Sequence, residues 1–190
     1  MRIVSGEFRG KALVTPQGEA TRPTSDRARQ AIFNILEHAP WSEGIRDRRV
    51  IDLFAGSGAL GFEALSRGAA FCLFVETDVA ARGAIRDNVE GLGGLFGKTR
   101  IHRRDATDLG LKPGADGPVF DLVFLDPPYA KGLGEIALVK LAQGGWLAPG
   151  AVVVFERGVG EGPFEIEGFE ALDAGDYGAA RVHFLRFEGA

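Results

Sequence analysis

Residues 49–69 read RVIDLFAGSGALGFEALSRGA, and three consecutive patterns in this stretch decide the fold. The run RVIDLFA is almost wholly apolar, which is typical of a strand covered on both faces of a parallel sheet. Residues 56–61, GSGALG, then fit the pattern G-x-G-x-x-G, and an apolar helical run follows and ends at Gly68. The stretch therefore predicts the strand, glycine-rich turn and helix that open an α/β domain.

The same alternation continues to residue 156. Apolar runs predict further strands at 71–76, 99–105, 120–126 and 150–156, and helical patterns predict helices at 78–93 and 133–145. Residues 164–187 hold two β-like runs with no helix between them, which indicates a hairpin and a final antiparallel strand. The predicted fold class is α/β, with a mostly parallel sheet covered by helices on both faces.

Residues 1–40 precede this pattern and predict a small extension. Two short β-like runs around Gly6 and Gly10 indicate a hairpin, and residues 22–39 predict a helix with Thr24 or Ser25 as its N-cap. Arginines crowd the start of that helix, where the helix dipole favours anions, and a misfit of this kind indicates a function. We expect one domain overall, with the extension at 1–40 and the core at 41–190.

Composition excludes several classes of protein. The chain has 190 residues, 45% of them hydrophobic, which suffices for one buried core. No run approaches the roughly 18 apolar residues of a membrane span, and the N-terminus lacks the apolar centre of a signal peptide, so we expect a cytoplasmic protein. The single cysteine, Cys72, excludes a disulfide within the chain. No His, Cys and carboxylate cluster has the spacing of a metal site, so we expect no metal.

The charge of the chain is unevenly distributed. The formal net charge of −4 argues mildly against a nucleic-acid partner. Residues 1–49, however, carry 9 Lys and Arg against 6 Asp and Glu, whereas the remainder is acidic. The basic excess is therefore local and N-terminal.

A ligand site is expected where the first two strands end. Glycines let the backbone approach a ligand closely, and Glu76, at the tip of the second strand, can accept hydrogen bonds from both hydroxyls of a ribose. These features suit a dinucleotide or S-adenosylmethionine. Asp52 favours the latter because its carboxylate suits a cationic amino-acid end; alternatively, Asp52 binds backbone amides of the glycine turn. Asp105 can reach an adenine amino group, with Ala106 as the next backbone donor, or it can cap the segment that follows.

The fourth strand runs directly into two prolines in LVFLDPPYA, residues 122–130. Proline lacks a backbone donor and restricts the residue before it, so residues 126–129 should form a stiff corner. This corner resembles that of amino-methyltransferases, which methylate exocyclic nitrogens of bases. The Asp126 carboxylate and a proline carbonyl can hold the two hydrogens of such an amine. Tyr129 offers a face on which a flipped-out base can stack.

Five segments together resemble the bacterial RsmD family, whose members methylate N2 of a guanine in 16S ribosomal RNA. They are MRIVSGEFRGKAL, RPTSDRARQAIFNIL, DLFAGSGALGFEALSRGA, FVETD and FLDPPYAKG. The resemblance implies a Rossmann-like class I methyltransferase fold, S-adenosylmethionine as cofactor, and a guanine-966-type target in the small ribosomal subunit or its assembly intermediate. It implies catalytic residues Asp126, Pro127, Pro128 and Tyr129. It implies cofactor contacts at Asp52, Phe54, Gly56, Ser57, Gly58, Glu76, Thr77, Asp105 and Ala106.

The N-terminal basic residues would then contact RNA phosphates, a share of the binding that salt should weaken. We expect RNA contacts at Arg2, Arg9, Lys11, Arg22, Thr24, Arg27 and Arg29. Thr24 and Arg27 are also candidates for a lid over the pocket. A long turn, GGLFGK at 93–98, and an acidic C-terminal tail depart from the family pattern and leave the RNA contacts open. We expect a monomer, because no apolar stripe is left over.

Three other functions remain open on sequence alone. An adenine-N6 methyltransferase acting on DNA or RNA could use the same corner, although DNA enzymes usually carry an added recognition region that 190 residues do not accommodate. A nicotinamide-dependent dehydrogenase would leave the DPPY corner and the terminal hairpin unexplained. A non-catalytic RNA-binding assembly factor could retain the fold without the activity.

Overall fold

The computed structural model describes residues 1–17, 24–114 and 117–189. Arg22, one of the expected RNA contacts, lies outside these ranges. The four helices of the described residues are α1 (Asp26–His38), α2 (Ala59–Ser66), α3 (Val79–Leu92) and α4 (Leu133–Gln143), with a short 3₁₀ helix at Phe96–Lys98. The strands are β1 (Arg49–Leu53), β2 (Phe71–Val75), β3 (Thr99–His102), β4 (Phe120–Leu125), β5 (Leu147–Gly158), β6 (Phe169–Tyr177) and β7 (Ala180–Phe187).

The seven strands form one sheet in the order β3-β2-β1-β4-β5-β7-β6. Strands β1 to β5 pair in parallel, whereas β7 pairs antiparallel with both β5 and β6. This arrangement confirms the mostly parallel sheet and the terminal hairpin predicted from the alternation of apolar runs. The sheet order changes direction at β1 and β4, so the loops after these two strands flank one crevice at the carboxyl edge.

Two apolar clusters cover the two faces of the sheet. One cluster joins the sheet to the apolar sides of α1, α2 and α3, through residues such as Phe33, Phe62 and Ile85. The other joins it to α4, through Leu138 and Leu141. Helices therefore lie on both faces, which explains why the strands are apolar along their whole length.

Helices α1 and α3 start at capping residues of the sequence. The Ser25 hydroxyl accepts a hydrogen bond from the N–H of Ala28 at the start of α1 (3.1 Å), so Ser25 is the N-cap and Thr24 is not. The Asp78 carboxylate accepts one from the N–H of Ala81 at the start of α3 (2.8 Å), as predicted. These bonds satisfy donors that have no partner within the helix.

The N-terminal extension packs against the core. The predicted hairpin is reduced to a tight turn with a single antiparallel bridge between Arg2 and Ala12. The buried carboxylate of Glu63 in α2 accepts hydrogen bonds from the N–H groups of Val4 (2.8 Å) and Ser5 (3.0 Å). Ile3, Phe8 and Leu13 belong to the same apolar cluster as α1 to α3. None of the described helices has the length and hydropathy of a membrane span.

Candidate functional site

Four acidic residues line the carboxyl edge of four neighbouring strands. Asp52 lies in β1, Glu76 directly follows β2, Asp126 directly follows β4, and Glu156 lies near the end of β5. Because the strands adjoin in the order β2-β1-β4-β5, these side chains form a row along the crevice. None of the four forms a salt bridge with any residue that the structure describes.

Glu76 fastens the glycine turn to the end of β2. Its Oε1 accepts a hydrogen bond from the N–H of Gly56 (2.9 Å), and its Oε2 accepts from the N–H groups of Thr77 (2.7 Å) and Asp78 (3.1 Å). Gly56 has φ of 58°, in the left-handed region that glycine adopts readily. Glu76 thus connects the loop after β1 with the loop after β2.

Asp52 is buried beneath the glycine turn. Only 2% of its surface is exposed, and its Oδ2 accepts a hydrogen bond from the N–H of Gly61 (3.1 Å), the last glycine of the pattern. Burial raises the pKa of the Asp52 carboxyl well above its ordinary value, and the nearby charge of Glu76 adds to the increase. The contact with Gly61 is the one that the alternative interpretation of Asp52 predicted.

The remaining expected cofactor residues also lie at the ends of the first three strands. Gly58 is the left-handed N-cap of α2, and the Ser57 carbonyl accepts a hydrogen bond from Asn88 (3.2 Å). Asp105 closes a turn after β3, because its Oδ1 accepts from the N–H (2.8 Å) and hydroxyl (2.7 Å) of Thr107. These bonds lower the pKa of Asp105. Ala106, the next residue, is buried.

Backbone strain occurs at both sides of the crevice. Phe54, directly after β1, has φ of 54°, and Ala130, directly after the DPPY corner, has φ of 60°. A left-handed conformation costs a residue with a Cβ about 1–2 kcal/mol, so it persists only where the surroundings fix the backbone. Both loops that border the crevice are therefore held in defined conformations.

The DPPY corner is supported from behind by α4. Pro127 is buried, and a Cβ at Gly134 of α4 would lie 2.3 Å from the Phe155 ring and 3.1 Å from Pro127. This close packing holds the corner against the sheet. Tyr129 projects outward with 38% of its surface exposed, beside an open depression of about 540 Å³.

Glu156 is a site residue that the sequence analysis missed. Its Oε1 accepts a hydrogen bond from the Tyr129 hydroxyl (2.8 Å), and its Oε2 accepts one from the Thr24 hydroxyl (3.3 Å). The signal was present in the sequence: FVE, FLD and VFE each end an apolar strand with an acid, and only the first two were assigned a role. Glu156 therefore joins the N-terminal extension to the DPPY corner.

Asp126 lies beside Glu156 and is affected by it. Burial raises the pKa of the Asp126 carboxyl well above its ordinary value, and the adjacent Glu156 carboxyl, which is within hydrogen-bonding reach, raises it further. The charge of Asp52 contributes in the same direction. Burial, followed by the hydrogen bond to Glu156, likewise raises the pKa of Tyr129. The Asp126 carboxyl therefore lies near both Asp52 of β1 and Glu156 of β5.

The expected RNA contacts separate into exposed and buried residues. Arg2, Arg9, Lys11 and Arg27 are exposed, and Arg2 forms a salt bridge with Asp26 (3.2 Å). Arg29 is fully buried. Its guanidinium pairs with Asp26 and lies 3.9 Å from the Glu63 carboxylate. The burial contradicts the expected RNA contact at Arg29. The reason is its position on the inner face of α1, where it lies near the buried Glu63 carboxylate, whose closer cation is Arg67 (3.0 Å).

The crevice offers acceptors and few cations. Within residues 1–17, 24–114 and 117–189, no group of three or more His, Cys, Asp or Glu is arranged to hold a metal ion. The row of unpaired carboxylates instead suits an organic cation and groups that carry several N–H or O–H donors.

Comparison with known proteins places the chain in a family. Residues 1–186 match the family described as Conserved hypothetical protein 95. The ribosomal RNA small subunit methyltransferase D of Haemophilus influenzae is 37% identical over 156 residues, covering 82% of this chain and 78% of the relative. Its namesake in Escherichia coli is 38% identical over 162 residues, covering 85% and 77%. The chain belongs to the RsmD family.

Solved structures agree with this membership. A structure described as the methyltransferase YhhF of Escherichia coli superposes with a TM-score of 0.83 at 34% identity, covering 100% of this chain and 99% of that one. TrmN from Thermus thermophilus superposes with a TM-score of 0.60 at 22% identity, covering 84% and 48%, and so shares the fold. The RsmD-family chain has the predicted Rossmann-like class I methyltransferase fold.

Proposed function

We propose that this chain transfers a methyl group from S-adenosylmethionine to the exocyclic N2 of one guanine, of the 966 type, in 16S ribosomal RNA. The observation that carries the proposal is the placement of the glycine turn and the DPPY corner on adjacent strands, β1 and β4, at one edge of the sheet. Asp52 lies between them, close enough to Glu76 and Asp126 for their charges to interact. The named ribosomal RNA small subunit methyltransferases among its relatives support methylation of ribosomal RNA.

The cofactor side of the crevice fits S-adenosylmethionine. We infer that Glu76 binds the ribose with the acceptor capacity that its three backbone N–H contacts leave. The glycine turn leaves its backbone open to a ligand, since a Cβ at Gly56 would meet nothing within 4 Å. The row of carboxylates, unpaired among the described residues, suits a ligand that carries an ammonium and a sulfonium. S-adenosylmethionine supplies a methyl group already activated on sulfur.

The DPPY side of the crevice fits a planar amine. An ionised Asp126 and the Pro127 carbonyl accept hydrogen bonds from the two amine hydrogens, which favours a nitrogen lone pair directed at the methyl group. The corner is fixed by its buried Pro127 and supported by α4, which holds these acceptors in place, so little reorganisation is needed as charge develops. During transfer the N–C bond forms, the S–C bond breaks, the thioether product leaves and one amine proton is released.

The N-terminal extension is proposed to contact RNA phosphates through Arg2, Arg9, Lys11 and Arg27. All four are exposed, and Arg2 is linked through Asp26 to the start of α1, next to Thr24 at the corner. We propose that the monomer acts in the cytoplasm on the small subunit or its assembly intermediate, where a folded RNA surface would span the extension and the crevice.

The test is a transfer assay with labelled S-adenosylmethionine and small subunits from cells that lack the enzyme. Digestion to nucleosides identifies the labelled base. We expect N2-methylguanosine at one position of 16S RNA. Label on adenine N6 would overturn the choice of target, and absence of cofactor binding would overturn the enzymatic role.

A further inference from the structure

The register of strands β4 and β5 places Glu156 directly beside Asp126. Strands β4 and β5 are parallel, and Leu125 of β4 pairs with Phe155 of β5. The next residues along the two strands are Asp126 and Glu156, which are therefore lateral neighbours whose side chains lie on the same face of the sheet. The two carboxyl groups form a single acceptor surface at the mouth of the crevice.

Two neutral donors hold Glu156 in position. Tyr129 donates to its Oε1 at 2.8 Å and Thr24 donates to its Oε2 at 3.3 Å, and only 7% of the Glu156 surface is exposed. An ionised carboxylate offers about four lone-pair positions, so two remain, of which a protonated Asp126 carboxyl can use one and a ligand the other. Arg157, the neighbouring cation, is directed to Glu135 instead (3.1 Å).

Adjacent, largely enclosed carboxyl groups need donors. When both are ionised each repels the other, and apart from the Asp126 carboxyl the described side chains that donate to Glu156 are two hydroxyl groups. A guanine presents its N1–H next to its N2 amino group, which makes three N–H donors along one edge. An adenine presents an N1 lone pair next to its N6 amino group. Because this N1 and an ionised carboxylate are both acceptors, they cannot form a hydrogen bond.

We propose that Glu156 selects guanine as the target base by accepting the N1–H, while Asp126 and the Pro127 carbonyl hold the N2 amine. This inference rests on the proposed function and assigns a specificity role to a residue outside the DPPY corner. Tyr129 then has two tasks, since its ring stacks on the base and its hydroxyl orients the Glu156 carboxylate.

The test compares two target bases that share the reacting amine. RNA from the target region is synthesised with guanine or with 2-aminopurine at the methylated position and assembled into small subunits; 2-aminopurine keeps the N2 amine and lacks the N1–H. A charge-assisted hydrogen bond that one base lacks should change kcat/KM about 10- to 100-fold. We expect the wild-type chain to prefer guanine by this factor.

Glu156→Gln removes the charge and keeps the shape of the side chain. We expect it to lose activity on guanine, to keep activity on 2-aminopurine within a few-fold, and so to lower the preference at least about tenfold. Glu161→Gln is the matched control, because Glu161 is a nearby carboxylate that contacts the Gly158 N–H and Arg157 instead of the DPPY corner. It should keep the wild-type preference.

The outcomes separate the two proposals. Equal loss on both bases in Glu156→Gln, with the preference unchanged, would show that Glu156 only supports Tyr129 and would overturn the inference alone. Absence of wild-type transfer to guanine N2 would overturn the proposed function and the inference with it. If Glu156→Gln does not fold, the wild-type preference decides by itself, and a ratio near one contradicts the specificity role.

Discussion

The carboxylate of Glu76 binds the backbone N–H of Gly56 at 2.9 Å, across the gap between the end of β2 and the glycine turn after β1. The same carboxylate accepts the N–H groups of Thr77 and Asp78, so one side chain organises both loops. A ribose bound at Glu76 would find these loops already ordered, which reduces the entropy that binding must offset.

Glu76→Ala should raise the dissociation constant for S-adenosylmethionine about 10- to 100-fold, because a charge-assisted hydrogen bond contributes about 1.5–3 kcal/mol. Isothermal titration calorimetry measures the change. Asp78→Asn, two residues away, keeps an N-capping side chain for α3 and should leave the affinity within a few-fold. An unchanged dissociation constant in Glu76→Ala would contradict the ribose role.

Asp126→Asn should lower the rate of methyl transfer at least about 100-fold, because the amide replaces a charged acceptor at the place where charge develops. The affinity for S-adenosylmethionine should stay within a few-fold, since the proposed function assigns Asp126 to the acceptor base. Single-turnover transfer and calorimetry measure the two quantities. A collapse of cofactor affinity with this variant would show that the two sides of the crevice are wrongly assigned.

The same substitution should stabilise the fold at neutral pH. The pKa of Asp126 is raised in the folded protein by burial, by Glu156 and by Asp52, so folding favours its protonated form. The protonated Asp126 therefore contributes to the free energy of unfolding. This contribution is fully present below the ordinary carboxyl pKa of 3.8 and is lost as the pH rises through the raised pKa of the folded protein. The gain in unfolding free energy from Asp126→Asn should therefore increase with pH.

Urea denaturation of both proteins between about pH 4 and pH 8 measures this gain. Asp87→Asn, at an exposed position of α3, is the matched control for the loss of a carboxylate. A gain for Asp126→Asn that is independent of pH, or that decreases as the pH rises, would contradict the repulsion between Asp126 and its acidic neighbours.

Arg29→Met should destabilise the fold by about 1–3 kcal/mol, because the buried Glu63 carboxylate loses one nearby cation and keeps its salt bridge with Arg67 (3.0 Å). Arg27→Met, two residues earlier on the exposed face of α1, should change stability by less than about 0.5 kcal/mol. Denaturant unfolding compares the two. Equal, small effects would mean that Arg29 is not a structural cation.

The fold could be predicted because its pattern is local. Apolar runs marked each strand, and the N-cap Asp78 and the glycine turn marked helix starts, so the alternation alone gave the mostly parallel sheet. Arg29 could also have been assigned correctly. It stands at helical spacing from Ile32, Phe33 and Leu36, which places it on the buried face of α1.

The acid that ends VFE places Glu156 at the carboxyl end of a strand, but its partners could not be predicted from local pattern, because they come from distant parts of the chain. Its position beside Asp126 depends on the register of β4 and β5, and its contact with Thr24 depends on where α1 begins. Likewise, the burial of Asp52 depends on how α2 packs over β1, which brings the Gly61 N–H to its carboxylate. These contacts can be identified only once the strands are assembled into the sheet.

The most direct test of the central claim is the position of the label after reaction with S-adenosylmethionine and unmethylated small subunits. Mass spectrometry of the digested 16S RNA should show one N2-methylguanosine, absent when Asp126→Asn replaces the wild-type chain. A methyl group on any other atom, or equal labelling by Asp126→Asn, would contradict the assignment of the DPPY corner as the place where a guanine amine is methylated.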